Sequence, residues 1–221
     1  KQTLADGTET VGNNAGYTGA LNVAQGGILT LKGTDEADTL AAILANAATT
    51  NWADGSGLAF DIKNDIAARP GQDNPPVAPD DTISASDISN IISSNAQNVD
   101  IYKYGDNYIT FSDDYSAIGR NVYIKDGTMR FFVENNDTEG GGEKYFNGGN
   151  ANTYISDGAK FIFEISGEEN NTTFAGNLIS ETVADEIKAV FQKAGDAALT
   201  LTGDNSGFNG DAVVEWGELV I

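Results

Sequence analysis

The chain contains no cysteine and no histidine. That excludes thiol nucleophiles, disulfides, histidine-based triads and the usual Cys/His zinc or iron centres. Basic residues are also scarce: 12 Lys and Arg stand against 33 Asp and Glu, a formal net charge of -21. Such acidity repels phosphate backbones and anionic membrane surfaces, so neither nucleic acid nor membrane is expected as a partner. No apolar run approaches the roughly 20 residues of a membrane-spanning helix. No signal peptide is visible, and the chain opens at Lys1 without a Met, so an excised fragment or processed product is expected.

Proline is confined to one place. All 4 prolines fall in Arg69–Asp81, where fixed φ angles and missing donors stop helix and central strand alike. This suggests a first subdomain over residues 1–70, a linker or loop over 71–82, and a second region over 83–221. One continuous domain is the alternative.

With 40% hydrophobic residues the chain can bury a core. Alternation marks strands at Ile28–Lys32, Leu58–Ile62 and Lys160–Ile165. Val99–Tyr104 and Tyr108–Ser112, on either side of a Gly-Asp-Asn turn, read as a hairpin. So do the segments flanking Asp126-Gly127, a pair suited to a type I′ turn. Three helices are expected between these strands. The first is capped by Thr34 or Asp35 and carries Leu40, Ile43, Leu44 and Ala47 on one face. The second starts near Ser84 or Ser86 and carries Ile88, Ile91 and Ile92. The third follows Ser180, with Thr182 and Asp185 as a capping box and Val183, Ile187, Val190 and Phe191 as its stripe. The expected fold class is therefore α+β: short amphipathic helices packed on antiparallel β-hairpins, in repeated β-α-β units. Repetition of one such unit points to scaffold or surface architecture.

The unit resembles the β-α-β insert in the outer, variable domains of bacterial flagellar axial proteins: flagellin, hook protein, hook-associated proteins and filament cap. Asp87-Ile88, Ile91-Ile92, Asn95-Ala96, Val99, Gly105 and Ile109–Ser112 carry the likeness best. Leu40, Ile43, Asn46-Ala47, Gly57 and Leu58–Ile62 follow, with Asp185, Ile187, Val190, Ala194-Gly195 and Leu199–Thr202 as a looser third copy. The long heptad-patterned terminal helices of that family are missing. The resemblance implies a surface-exposed structural region of an extracellular filament or hook, without catalysis. Its partners would be neighbouring subunits of a homopolymer, reached through parts of a parent chain absent here. A calcium- or glycan-binding adhesin or surface-layer module is the alternative.

Few residues invite a chemical role. Asp204, Asn205, Asn209 and Asp211, in a segment of alternating oxygen side chains, are calcium candidates. Their spacing lacks the glycine and distal glutamate of an EF-hand, so a polar turn is the simpler reading and no cofactor is expected. Asp35, Glu36 and Asp38 suit a helix N-terminus, and Asp113 and Asp114 a strand-end turn. Gly140-Gly141-Gly142 is followed by no Lys-Ser/Thr and is not a phosphate loop. Tyr102, Tyr104, Tyr108, Tyr115, Trp52 and Trp216 could form a sugar-binding platform, but cross-strand packing is the commoner use of such rings. Asn136, Asn170 and Asn171 stand in N-x-S/T sequons. No nucleophile with its base can be named, so no enzymatic activity is expected.

Overall fold

The computed structural model describes residues 2–3, 9–10, 21–33, 50–62, 82–84, 99–106, 108–112, 121–134, 145–146, 152–167, 171–181 and 187–221. They form strands and turns only. In chain order come β1 (Gln2–Thr3), β2 (Glu9–Thr10), β3 (Leu21–Val23), β4 (Ile28–Gly33), β5 (Thr50–Trp52) and β6 (Gly57–Ile62). Then follow β7 (Thr82–Ser84), β8 (Asp100–Tyr104), β9 (Tyr108–Ser112), β10 (Val122–Ile124), β11 (Thr128–Glu134) and β12 (Tyr145–Phe146). The last are β13 (Asn152–Ser156), β14 (Lys160–Ser166), β15 (Thr172–Phe174), β16 (Asn177–Glu181), β17 (Val190–Ala194), β18 (Ala198–Leu201), β19 (Asp211–Val214) and β20 (Glu218–Val220).

Their pairing makes a parallel β-solenoid. The longest sheet has 8 strands in the order β1-β2-β4-β6-β8-β10-β13-β16, and a second has 6 in the order β19-β17-β14-β11-β9-β7. A third runs β12-β15-β18-β20, and β3 pairs with β5. Apart from the antiparallel β1–β2 pair, every pairing is parallel. Successive strands such as β10, β11 and β12 lie in three different sheets, so the chain turns a corner after each and returns to the first sheet one coil on. The pairing of β6 with β8 joins residues on either side of the proline-rich segment in one sheet.

Tight corners need backbone that bends sharply. Gly26, Gly55, Gly105, Gly127, Gly158, Gly195 and Gly217 occupy such bends with φ between 63° and 80°. This is left-handed territory in which a Cβ is costly. Gly195 has a second reason to be glycine, because a methyl there would meet the Ile165 carbonyl of the preceding coil.

The core is the bore of the solenoid, filled by stacked inward columns. On the first sheet Leu58, Ile101, Val122, Thr153 and Leu178 follow one another in register. On the second, Met129, Phe161 and Phe191 form one column, and Phe131 and Phe163 lie in the next. Phe131 and Phe163 meet edge to face at 4.8 Å, a favoured aromatic geometry. Parallel sheets need burial, and here one face of each is closed by the other sheets.

These pairings overturn the α+β expectation of helices on antiparallel hairpins. Tyr108–Ser112 is a strand as expected, but β8 and β9 are not a hairpin: β8 pairs with β6 and β10, and β9 with β7 and β11. The segments flanking Asp126-Gly127 likewise separate, β10 to the first sheet and β11 to the second. A glycine bend serves a solenoid corner as well as a hairpin. In the expected third helix, Val190 and Phe191 lie in β17 and Ile187 is exposed, outside any helix. The first helix and nearly all of the second fall outside the described residues; Ser84, one of the second helix's possible starts, ends β7.

Candidate functional site

Polar chemistry gathers in two places: the outer wall of the first sheet, and two lysines inside the bore.

The outer wall opens with a ladder of short side chains where the strands begin. The Asp100 carboxylate accepts from the Asn121 N–H at 3.2 Å, and the Asn121 side-chain carbonyl accepts from the Asn152 N–H at 3.1 Å. Asn177 donates its amide to the Asn152 carbonyl at 2.9 Å, and the Asn177 carbonyl accepts from the Asp204 N–H at 2.6 Å. Each rung ties one coil to the next and satisfies a backbone or amide group that the corner would leave bare.

Two residues along from the ladder, Tyr102, Tyr123 and Tyr154 stack. Their centroids are 4.7 Å apart, with interplanar angles of 9° and 6°. That matches the strand spacing of a sheet, so identical side chains in register must stack face on face. Asn121 and Asn152 donate their amides to the hydroxyls of Tyr123 and Tyr154, at 3.3 and 3.0 Å. Burial raises the Tyr123 pKa above its ordinary value, Asp100 adds to the rise, and the bond from Asn121 opposes it. Tyr104 joins the stack beside Tyr102 at 6.1 Å. At the far side Lys125 pairs with the Glu181 carboxylate at 2.7 Å and lies 5.1 Å from the Tyr123 ring centroid.

A sugar platform needs free ring faces, and here the faces of Tyr123 are covered by its neighbours. Alternation within β8 puts Tyr102 and Tyr104 on one face, but sequence reasoning missed Tyr123 and Tyr154. Those two lie some 20 to 50 residues further along the chain, and only parallel register brings them together. The other candidate rings lie elsewhere: Tyr108 on the second sheet, Trp52 buried in the core, and Trp216 69% exposed at a corner. Tyr115 lies outside the described residues.

Lys103 and Lys193 point into the bore, each with 0% exposure. Lys103 Nζ donates to the carbonyls of Tyr104 at 2.9 Å, Gly105 at 2.6 Å and Asp126 at 3.2 Å. Lys193 Nζ donates to those of Ala194 at 2.7 Å, Gly195 at 2.7 Å and Trp216 at 2.9 Å. The pattern is the same in both: two carbonyls from the lysine's own corner and one from the next coil. The ammonium replaces the donors that the bend removes. Burial pulls the Lys103 pKa down to about 8, against the raising effect of Asp126, Asp61 and Asp106. Burial lowers that of Lys193 too, opposed by Asp196 and Glu164.

The calcium candidates are spread over the corner that leads to β19. Asn205 accepts from the Leu178 N–H at 2.8 Å, and the Asp204 carboxylate accepts from the Ser206 N–H at 3.1 Å. The Ser206 hydroxyl and, after it, the Ser206 N–H hold the exposed Asp204 carboxyl below its usual range. The Asn209 N–H donates to the Ser180 hydroxyl at 3.0 Å, and Asp211 pairs with Lys188 at 3.2 Å. Among the described residues no group of three or more acidic side chains is placed to hold a metal ion. Asn171 is exposed immediately before β15. Asp35, Glu36, Asp38, Asp113, Asp114, Gly140-Gly141-Gly142, Asn136 and Asn170 lie outside the described residues.

Set against known protein families, curated proteins and solved structures, the chain matches none of them.

Proposed function

We propose that this chain is a structural spacer, a surface-exposed section of an extracellular bacterial assembly that works by stiffness and charge without turnover. The observation that carries the reading is where its polar side chains go. Asp100, Asn121, Asn152, Asn177 and Asn205 are engaged in bonds between coils, and Lys103 and Lys193 latch corner to corner. A solenoid also extends in one direction by one strand spacing per coil. With about 4.8 Å per step, the 8 strands of the longest sheet span roughly 34 Å. The acidic surface would keep neighbouring copies apart, an effect that salt screens.

The resemblance described above points to a flagellar filament or hook as the assembly. Its helix positions in the first two copies lie outside the described residues, and its strands are paired in parallel, so the proposal rests on the solenoid itself. Immunogold labelling of intact cells of the source organism tests the location: label on the outside of cells or filaments supports it, and label confined to the interior overturns it. Thermal unfolding with millimolar calcium, together with a glycan array, tests the mode of action. An unchanged midpoint and a blank array fit a spacer. A raised midpoint or a glycan signal would replace it with a calcium- or glycan-binding adhesin or surface-layer module.

A further inference from the structure

The corner between β10 and β11 brings a carboxylate, a backbone nitrogen and a buried ammonium together. The Gly127 N–H donates to Oδ1 of the preceding residue, Asp126, at 2.9 Å, so its acceptor is a side chain rather than the next coil. The peptide to which this nitrogen belongs is also polarised from inside the bore. Its carbonyl, that of Asp126, accepts from the Lys103 ammonium at 3.2 Å, and Lys103 is 0% exposed. Asp126 is exposed and Gly127 half-buried, so water reaches the corner from outside. Gly127 carries no side chain to shield its nitrogen, and its φ is 63°. One coil on, the same dipeptide recurs. The register of Ile124 with Ile155 places Asp157-Gly158 at the equivalent corner between β13 and β14. There the Gly158 N–H donates to the Lys188 carbonyl at 3.3 Å. The residue that stands to this corner as Lys103 stands to the other is the apolar Ile124.

We propose that Asp126-Gly127 is a self-modifying site, which closes to a succinimide and reopens as isoaspartate. The Gly127 nitrogen forms a bond to Asp126 Cγ. The carboxyl gives up a hydroxyl group, which leaves with the amide hydrogen as water. A second water opens the ring at one of its two carbonyls. That restores aspartate, or leaves isoaspartate with the main chain running through Cγ. The only reagent is water. Two contacts favour closure at this corner. The bond from Gly127 holds the carboxyl against the nitrogen that attacks it, and reacting atoms held about 3–3.5 Å apart gain most from proximity. The Lys103 ammonium stabilises the negative charge that reaches the Asp126 carbonyl as the Gly127 nitrogen loses its proton. Isoaspartate adds one carbon to the main chain beside the carbonyl that Lys103 latches, so each conversion loosens the tie between two coils.

The test ages the complete 221-residue chain in warm, mildly acidic buffer, with and without denaturing urea. Isoaspartate is located by peptide mass spectrometry with electron-transfer fragmentation. In the folded chain Asp126 should convert at least about tenfold faster than Asp157. The Gly158 N–H must first give up its bond to Lys188, and one hydrogen bond is worth about that factor. In urea the two sites should convert at similar rates. Lys103→Met should slow conversion at Asp126 and leave Asp157 as it was, whereas a merely loosened corner would speed Asp126. The ratio between the two sites needs no variant and decides the matter even where Lys103→Met does not fold. Absence of conversion at Asp126, or equal rates at the two sites of the folded chain, overturns the proposal. So does a preference for Asp126 that survives in urea, which would belong to the local sequence. A folded Lys103→Met chain that converts Asp126 as fast as the natural one overturns the role given to Lys103.

Discussion

The buried Lys103 makes the stability of this fold rise with pH across the alkaline range. Consider Lys103→Met, which keeps the length of the side chain and removes the charge. In the folded chain the Lys103 pKa is pulled down to about 8 from 10.5. Above pH 8 the unfolded state therefore binds more protons at this site than the folded state, and stability rises with pH. The contribution is constant below about 8, grows through the window from 8 to 10.5, and is constant above it. A displacement of about 2.5 units at about 1.4 kcal/mol per unit amounts to roughly 3 kcal/mol over that window. Burial lowers the Lys193 pKa as well, so the informative quantity is a difference between two proteins that share it. Urea unfolding of both proteins at intervals from pH 7 to 11 gives that difference directly. The natural chain should gain roughly 3 kcal/mol relative to Lys103→Met between about pH 8 and 10.5. Parallel stability curves for the two proteins would refute the reasoning, because they would mean that Lys103 is not held in a desolvated site.

Three further substitutions probe the bore and its corners. Thr153 lies inward between Val122 and Leu178, fully buried, and its hydroxyl has no hydrogen-bond partner. Thr153→Val removes that stranded hydroxyl at nearly constant volume, so the urea midpoint should rise by about 1 kcal/mol of stability; a loss of stability would show that the hydroxyl is satisfied. Gly195 and Gly26 share a positive φ, 78° and 74°, but only at Gly195 would a methyl meet backbone of the neighbouring coil. Gly26→Ala should cost about 1–2 kcal/mol from the left-handed conformation alone. Gly195→Ala should cost clearly more, and equal losses in thermal unfolding would contradict the coil spacing.

Several strand positions were legible in the sequence, β17 excepted; strand partners were not. Tyr108–Ser112 alternates, and the structure returns the same boundaries for β9. Its partners Ile83 and Phe131 are some 20 to 30 residues away, and no local pattern names them. Gly105 and Gly127 marked real bends, but a bend signal is the same for a hairpin and a solenoid corner. Repetition was visible, yet its unit was misread because successive strands of the first sheet follow one another at unequal intervals and so lack a fixed period. The segment around Phe191 was misread for a different reason. In β17 the alternating inward residues are Phe191 and Lys193, and a lysine is ordinarily counted as outward. With Lys193 placed outside, Ile187, Val190 and Phe191 fall at helical spacing. Of the polar wall, Tyr102 and Tyr104 could be paired by alternation within one strand, whereas Tyr123, Tyr154 and the asparagine ladder needed register between strands.

Because the chain has no cysteine, engineered pairs can read that register without background. Tyr123 and Tyr154 are directly aligned in neighbouring parallel strands, where the Cα separation of about 4.8 Å suits a disulfide. In a hairpin turning at Asp126-Gly127, position 123 would instead face position 130. The measurement is the disulfide yield, by mass spectrometry after mild oxidation, of Tyr123→Cys/Tyr154→Cys against Tyr123→Cys/Arg130→Cys. The parallel solenoid predicts ready closure of the first pair and none of the second. Closure of the second pair alone would restore the hairpin and contradict the fold.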